Sequence, residues 1–280
     1  MSGRTYSFEF FPPRTPAGKD KLRATWQALG KLKPKFFSVT FGAGGSTQAG
    51  TLETVVDIRR DGFEAAPHIS CVASTRKEIA GILEQYRASG IRHIVALRGD
   101  LPSGVAMAGE LRHANELVAF IRETTGDWFN IEVACYPEYH PQTRNAPDEV
   151  RNFKKKVDAG ANAAITQYFY SPDAYFRFVD DCAAAGIRIP IVPGIMPIGN
   201  FAQLARFSDA CGAEIPRWMR IRLEGYRDDS AAIRAFGLDV VTALCEKLLA
   251  AGAPGLHFYT LNQAPLSAEI WERLRLSSRG

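Results

Sequence analysis

Hydrophobic and polar positions form two recurring patterns along this chain. Short apolar runs rich in β-branched and aromatic residues predict strands at 5–11, 36–41, 65–72, 93–98, 130–136, 163–170, 190–195 and 255–261. Longer amphipathic stretches lie between them and predict helices, among them 19–32, 75–89, 148–159 and 173–185. Three of these helices are followed by Gly90, Gly160 and Gly186, which suit the position just past a helix end.

The order of these elements predicts the fold class. Eight repeated βα units favour a parallel sheet closed into a single (β/α)₈ barrel of the TIM type, an α/β fold. The connection between the seventh and eighth predicted strands is long, and 216–225 and 229–251 predict two extra helices there. No linker rich in Pro, Gly or Ser divides the chain, so we expect residues 1–280 to form one catalytic domain.

Composition excludes several classes of protein. No stretch of 18 uninterrupted apolar residues occurs, so a membrane span is not expected. The net charge is only +4, with acids and bases interspersed, which argues against nucleic-acid binding. The N-terminus lacks the features of a signal peptide, and the five cysteines contain no Cys-x-x-Cys pair. These features predict a cytoplasmic protein with reduced thiols.

Candidate site residues follow from the barrel itself. Active sites of (β/α)₈ barrels form at the C-terminal ends of the strands, so polar residues at those positions are candidates. They are Glu9, Thr40, His68, Arg98, Asp100, Tyr136, Gln167, Thr260 and Asn262.

Glu9 is the strongest candidate for acid–base chemistry. Strand alternation places Ser7, Glu9 and Phe11 on one face and Phe8 and Phe10 on the other. If the first face is the barrel lumen, burial should raise the pKa of Glu9 and let it hold a proton near neutrality, as a general acid must. The alternative is a structural glutamate paired with an arginine.

Two further groups could bind a ligand. In segment 98–100, Gly99 would let the backbone approach a planar ligand between a cation and an anion, although a salt-bridged strand end has the same pattern. Glu149, Asn152 and Lys156 share one helix face and could meet phosphate or ribose groups. A solvated helix face is the alternative.

Two familiar kinds of site are not supported. The glycine-rich segment 42–47 follows a strand, but Thr47 stands where a Gly-x-Gly-x-x-Gly dinucleotide fingerprint needs its third glycine. The five histidines show no metal-ligand spacing, so we expect no metal site.

Taken together, these residues resemble the methylenetetrahydrofolate reductases of the bacterial type, over nearly the whole chain from Ser7 to about Glu269. The matching segments are SFEFFPPRT at 7–15, 34–40 with 42–43, 65–68, GIRHIVALRGDLP at 90–102, 136–138 with 140–141, 156–167, 193–197 and HFYTLN at 257–262.

The resemblance implies a flavin-dependent oxidoreductase of one-carbon metabolism. It would reduce 5,10-methylenetetrahydrofolate to 5-methyltetrahydrofolate with NADH or NADPH, in a ping-pong reaction through FAD, and so supply methyl groups for methionine synthesis. The expected partner is this small-molecule substrate, and the family suggests a homo-oligomer.

The family's functional residues map onto specific positions. Its proton donor falls on Glu9, and its flavin-proximal aspartate, which also meets the pterin, falls on Asp100; these are the catalytic pair. The expected cofactor contacts are Thr40, Phe41, Ala43, His68, Arg98, Gly99, Asp100, Ala114, Tyr136, His140, Glu149, Asn152, Lys155 and Lys156. The expected substrate contacts are Gln167, Gln203, Phe207 and Gln263.

Four positions depart from the family pattern. Phe41 stands where Tyr is common, His113 stands where Tyr usually lies near the flavin, and Glu149 replaces Asp. Gln263 replaces an Arg associated with the folate side. The competing hypotheses are another barrel flavoprotein, such as a proline-dehydrogenase-like oxidase, and a non-catalytic protein that binds folate or flavin.

Overall fold

The computed structural model describes residues 3–41, 45–99 and 109–276, with only the backbone described at 45–48. Its strands are β1 Thr5–Phe10, β2 Phe36–Val39, β3 Ala65–Ser70, β4 His93–Leu97, β5 Asn130–Cys135, β6 Ala163–Thr166, β7 Ile191–Val192, β8 Gly194–Ile195 and β9 Gly255–Tyr259. Its helices are α1 Pro16–Gly30, α2 Gly45–Arg60, α3 Arg76–Ala88, α4 Ala114–Thr125, α5 Ala146–Asp158, α6 Pro172–Ala184, α7 Phe201–Cys211, α8 Arg217–Gly225, α9 Ser230–Ala250 and α10 Pro265–Arg273.

The strands form one parallel barrel, which confirms the predicted fold class. Their order is β7-β6-β5-β4-β3-β2-β1-β9-β8. Among the described residues, β7 pairs only with β6 and β8 only with β9. These two short strands are therefore the two halves of one interrupted barrel strand, which closes the barrel. With β7 and β8 counted as one interrupted strand, eight barrel strands surround the lumen, as expected of this fold.

The seventh barrel strand, formed by β7 and β8, differs from the single strand predicted at 190–195. It is interrupted at Pro193, which has no N–H to donate to a ladder. The Pro193 carbonyl accepts the backbone N–H of His257 at 3.0 Å, and Gly194 N–H donates to Thr166 Oγ1 at 2.9 Å. A side-chain hydroxyl thus takes the place of one ladder carbonyl at the point of closure.

Predicted strands begin within one residue of the observed strands, but seven of the eight extend too far at their C-terminal ends. The largest error is at 163–170, because β6 ends at Thr166. The apolar run continues beyond the ladder since Tyr168 and Tyr170 are buried in the βα loop, where their hydroxyls bond Ser208 and Met196. Buried loop residues at the barrel mouth have the composition of a strand.

The six helices for which bounds were predicted are confirmed to within three residues at each end, but one helix was missed in the long connection before β9. The connection between β8 and β9 contains three helices, because α7 precedes the two that were predicted. Asn200 caps α7 by accepting the Gln203 N–H at 2.8 Å, and Gly212 ends it in the left-handed conformation. These two cap signals are visible in the sequence.

Strand alternation along β1 is confirmed. Phe8 and Phe10 are fully buried between the barrel and its helices, where Phe8 packs on Phe37 and Trp271. Glu9 points the other way, into the lumen, and meets side chains from β3 and β9. The barrel interior therefore carries polar groups at the level of Glu9.

The five cysteines all carry free thiols, as expected. No helix in the described part of the chain is long and apolar enough to cross a membrane.

Candidate active site

A cleft of about 560 Å³ opens at the C-terminal ends of the strands. Its walls bring together ten residues predicted from the sequence, which come from widely separated segments. They are Glu9, Thr40, Phe41, His68, Arg98, Tyr136, His140, Gln167, Phe207 and Thr260. We refer to it as the active-site cleft.

Glu9 lies in this cleft at the centre of a carboxylate–imidazole cluster. His68 Nε2 and His257 Nε2 both lie 3.3 Å from Glu9 Oε2, and the Ser38 hydroxyl is 3.5 Å from the same oxygen. On its far side, the His257 ring bonds the Ser7 hydroxyl through Nδ1 at 2.7 Å. The Glu9 side chain is only 17% exposed. A chain of polar groups therefore runs from Ser7 through His257 to Glu9.

The predicted direction of the Glu9 pKa shift is wrong for the free protein. Burial by itself raises this pKa, but electrostatic attraction to His68 and hydrogen bonding with His257 lower it to about 2. The structural alternative also needs correction, since histidines and not an arginine face the carboxylate. Glu9 is thus ionised in the free protein and has to take up a proton before it can act as an acid.

The predicted candidate Thr260 lines the cleft and Asn262 lies beside it, and both make hydrogen bonds that hold the cleft wall together. The Thr260 hydroxyl donates to the Glu9 carbonyl at 2.6 Å. The Asn262 amide accepts the Phe11 N–H and donates to the Phe11 carbonyl, both at 2.9 Å. These bonds tie the ends of β1 and β9 together and determine where Glu9 sits.

A groove of about 290 Å³ adjoins the active-site cleft and shares Arg98, Tyr136 and His140 with it. It is also lined by Gly99, Ala114, Glu149, Asn152 and Lys156. The helix face predicted from the sequence therefore lines a groove, with Glu149 buried and Asn152 still exposed. Lys155, by contrast, is exposed and lines neither of these two clefts.

Within this groove, Glu149 and Lys156 have structural contacts of their own. Glu149 is buried, and its Oε2 accepts the Thr143 hydroxyl at 2.8 Å and the His140 N–H at 3.2 Å. Lys156 Nζ donates to the Ala134 carbonyl at 2.8 Å, and burial lowers its pKa. Glu149 thereby holds the His140 loop in place, while Lys156 carries positive charge into the groove.

Gly99 is required by its own backbone and by its neighbours. Its φ is +85°, and a Cβ atom here would lie 2.0 Å from Ser70 Oγ and 2.8 Å from Val72 Cγ1. The Arg98 guanidinium beside it donates to Gln142 and to the Gly99 carbonyl. Two predicted residues, Ala43 and Asp100, lie outside the described residues.

The remaining departures from the family pattern occupy different environments. Phe41 lines the active-site cleft, as expected for that position. His113 is the residue before α4, and its side chain makes no capping bond. Gln263 is exposed at a separate opening beside Gln203.

The residues present fit a flavin nucleotide. His68 Nε2 is buried in the cleft wall without a hydrogen-bond partner among the described residues, even though it lies within ion-pair distance of Glu9. A ligand polar atom could satisfy it. The adjoining groove supplies cationic Arg98 and Lys156, which suit a pyrophosphate.

His257 is a residue of the site that sequence reasoning missed, and Glu138 is a partly buried carboxylate outside both clefts that was not singled out either. His257 shares strand parity with the cleft-lining Tyr259, so the alternation of β9 could have placed it in the lumen. Glu138 accepts the Glu214 N–H at 2.8 Å, and burial raises its pKa to about 7. No local pattern could have identified Glu138, since Glu214 is 76 residues away.

The fold and the site define a (β/α)₈-barrel enzyme with acid–base groups at its mouth and a cationic groove suited to a dinucleotide cofactor. A sequence profile of the methylenetetrahydrofolate reductases matches residues 2–275. The chain therefore belongs to the methylenetetrahydrofolate reductase family, which confirms the resemblance drawn from the sequence and the enzyme class, a flavin-dependent folate reductase.

Individual members of this family are similar to the chain over most of its length. The chain is 43% identical over 269 residues to the 5,10-methylenetetrahydrofolate reductases of Salmonella typhimurium and Escherichia coli, covering 96% of this chain and 90% of each relative. It is 41% identical over 271 residues to methylenetetrahydrofolate reductase (NADH) 1 of Arabidopsis thaliana, covering 92% of this chain and 46% of the relative.

Among solved structures, a protein of Clostridium thermocellum that binds two copies of 5-methyl-5,6,7,8-tetrahydrofolic acid has the same fold. It superposes with a TM-score of 0.67 at 16% identity and covers 96% of this chain and 93% of its own. At this identity the likeness concerns the fold alone.

Proposed function

We propose that this enzyme reduces 5,10-methylenetetrahydrofolate to 5-methyltetrahydrofolate with electrons from NADH or NADPH, passed in a ping-pong reaction through bound FAD. The observation that best supports this proposal is the Glu9 carboxylate, which lies between two imidazoles in the active-site cleft and beside a cationic groove. The product would supply methyl groups for methionine synthesis. A homo-oligomeric state and a cytoplasmic location belong to the same proposal.

FAD would occupy the active-site cleft and its adjoining groove. Arg98, Asn152 and Lys156 line the groove and would hold the phosphates and ribose, while the unsatisfied His68 Nε2 would bond a polar edge of the ring system. When bound, the flavin supplies hydride transfer between the nicotinamide and the folate. The chain contributes position, charge and the proton.

Glu9 would deliver that proton to the folate. Because its carboxylate is ionised in the free protein, Glu9 would take up a proton before donating it, and His257 Nε2, 3.3 Å from Glu9 Oε2, is the neighbouring group that would pass it on. Ser7 holds His257 from behind through Nδ1 and so orients its Nε2 toward Glu9.

The substrate side of the cleft supports the remaining assignments. Gln167 and Phe207 line the active-site cleft and Gln203 lies on the same helix as Phe207, so all three can contact the folate and the nicotinamide in turn. Asp100 would stabilise positive charge that develops on the reacting ring, an assignment that follows from the family pattern.

The purified protein should be yellow, with FAD released on heat denaturation. Anaerobic NADH or NADPH should bleach the flavin, and 5,10-methylenetetrahydrofolate should then restore its colour with formation of 5-methyltetrahydrofolate. Bleaching without reoxidation by folate would favour another barrel flavoprotein. A protein that contains no flavin, and that added FAD does not activate, would contradict the cofactor assignment.

Gln263→Arg should lower the Michaelis constant for 5,10-methylenetetrahydrofolate several-fold. Gln263 is exposed past β9 at the barrel mouth, where an arginine could replace a neutral amide contact to the folate carboxylates by a charge-assisted one. The gain is about 1 kcal/mol. Steady-state kinetics with flavin reduction by NADH as the control would test this, and an unchanged folate constant would place the carboxylates elsewhere.

A further inference from the structure

Helix α7 forms one wall of the active-site cleft but is only lightly anchored to the barrel. Phe207 lines the cleft, and Gln203 lies one turn nearer the start of the helix. All residues of α7 are described, and of these only Leu204 and Ser208 are buried. Because few buried contacts give a segment low local stability, the position of α7 depends on the polar contacts at its end.

The loop after β5 forms another wall of the same cleft. His140, Pro141 and Gln142 line the active-site cleft, and His140 also lines the adjoining groove. Tyr139 in this loop has a φ of +74°, a left-handed conformation that a bulky residue rarely adopts unless its surroundings hold it there. Contacts from outside the loop are needed to keep this conformation.

The partly buried Glu138 joins this loop to the end of α7. Its Oε2 accepts the backbone N–H of Glu214, in the connection between α7 and α8, at 2.8 Å. The two segments also meet at Gly212, where a Cβ atom would lie 3.0 Å from Pro141 Cγ. We call the hydrogen bond the Glu138–Glu214 link. It connects the wall with predicted flavin contacts to the wall with predicted substrate contacts.

Charged and titratable groups face Glu138 and its immediate neighbours. They are Arg177 of α6, Tyr168 and Tyr170 of the loop after β6, Cys211 of α7 and Glu214. Burial and the Glu214 carboxylate raise the pKa of Glu138, whereas the Glu214 N–H and Arg177 lower it, and the result is about 7. Burial raises the pKa of both phenols far above neutrality, so they stay neutral where Glu138 titrates.

We propose that Glu138 is a positioning residue that holds α7 against the flavin side of the active-site cleft and thereby sets the affinity of the cleft for NADH and for folate. The inference rests on the proposed function and deepens it. Glu138 lines neither the cleft nor the groove, so it acts through α7 and not on the reacting atoms. A shift of about 1 Å in a positioning element is enough to impair an active site strongly.

The strength of the Glu138–Glu214 link depends on the charge of Glu138. An ionised carboxylate accepts an N–H more strongly than a neutral carboxyl group does. The link is therefore strong above about pH 7 and weaker below it. A weaker link leaves α7 less firmly placed, so the cleft should bind NADH less tightly in the acidic part of this range.

The test is anaerobic reduction of the bound flavin by NADH at several pH values, followed by stopped flow. This half-reaction yields the dissociation constant of NADH and the limiting rate separately, and folate takes no part in it. In the unmodified enzyme the dissociation constant should rise about three- to fivefold on acidification, with a midpoint near pH 7. Glu138→Gln keeps an acceptor oxygen but cannot ionise, so its dissociation constant should stay near the acidic value throughout.

Two matched variants change the charges around Glu138 and leave the hydrogen bond in place. Glu214→Gln keeps the backbone N–H donor and removes a negative charge, so the midpoint should fall. Arg177→Gln removes a positive charge, so the midpoint should rise. A residue that only stabilised the fold would not produce these opposite shifts.

Three results would overturn the inference: an unchanged pH dependence in Glu138→Gln, a midpoint that the two charge variants do not move in opposite directions, or a change confined to the limiting rate. Hydrogen exchange gives a readout without activity, because Glu138→Ala should speed exchange of the Glu214 amide. Faster exchange in a protein whose flavin NADH does not reduce would support the link, and only the proposed function would then fail. Unchanged exchange would contradict the link itself.

Discussion

Replacing Glu9 with glutamine should slow folate reduction roughly 10²–10⁴-fold, the usual contribution of general acid catalysis. Glutamine preserves the size of the side chain and a hydrogen-bonding oxygen, but it cannot take up a proton and donate it to the substrate. Flavin reduction by NADH should remain nearly normal, because that half-reaction needs no proton from Glu9. Stopped-flow measurement of the two half-reactions would separate these effects.

Glu132→Gln is the matched control for this experiment. Glu132 is also a buried carboxylate, and its Oε1 lies 3.1 Å from His93 Nε2, but it is not part of the active-site cleft. We expect its folate reduction, per flavin-loaded protein, to stay within a few-fold of the unmodified enzyme. Equal damage to both half-reactions in Glu9→Gln would instead mark Glu9 as a structural residue.

Glu9→Gln can also be tested by measuring the stability of the fold at acidic pH. The pKa of Glu9 in the folded protein is about 2, below the ordinary value of 4.5. Its ionised form therefore stabilises the fold above about pH 4.5, and this contribution is lost as the pH falls from about 4.5 to about 2. Glu9→Gln should lose less stability across this range, which urea unfolding at several pH values would measure.

Gly99→Ala should destabilise the fold by about 2–4 kcal/mol and lower the retained flavin. The added Cβ must adopt a left-handed conformation and displace the Ser70 hydroxyl, which donates to the Arg98 carbonyl at 2.8 Å. The segment that carries Arg98 would shift away from the cofactor groove. Thermal unfolding should show a drop of roughly 5–10 °C in Tm.

Gly81→Ala is the control for the general effect of adding a methyl group to a glycine. Gly81 lies inside α3, and a Cβ atom there would meet nothing within 4 Å. Alanine should stabilise this helix by about 0.5–1 kcal/mol. Unchanged stability and flavin content in Gly99→Ala would show that the loop relaxes freely and that the glycine is not required.

Local sequence patterns were sufficient for the fold class and for much of the site. Strand alternation requires only neighbouring residues, and it correctly directed Glu9 into the lumen and Phe8 into the packed shell. The order of βα units was enough for a closed barrel, and barrel geometry then directed attention to the strand ends. The strand ends themselves were placed too far along because buried loop residues resemble strand residues.

Only the tertiary structure determined the partners of the buried site residues and the direction of the Glu9 pKa shift. Sequence reasoning weighed burial for Glu9 and predicted a raised pKa, whereas His257, 248 residues away, and His68 lower it. Sequence reasoning also could not foresee that the seventh barrel strand is interrupted at Pro193. Nor could it foresee that α7, α9 and α10 start around one cleft that contains Arg234. Alternation and periodicity act over a few residues, while the partners of a buried charge depend on how strands and helices distant in sequence meet when the barrel closes.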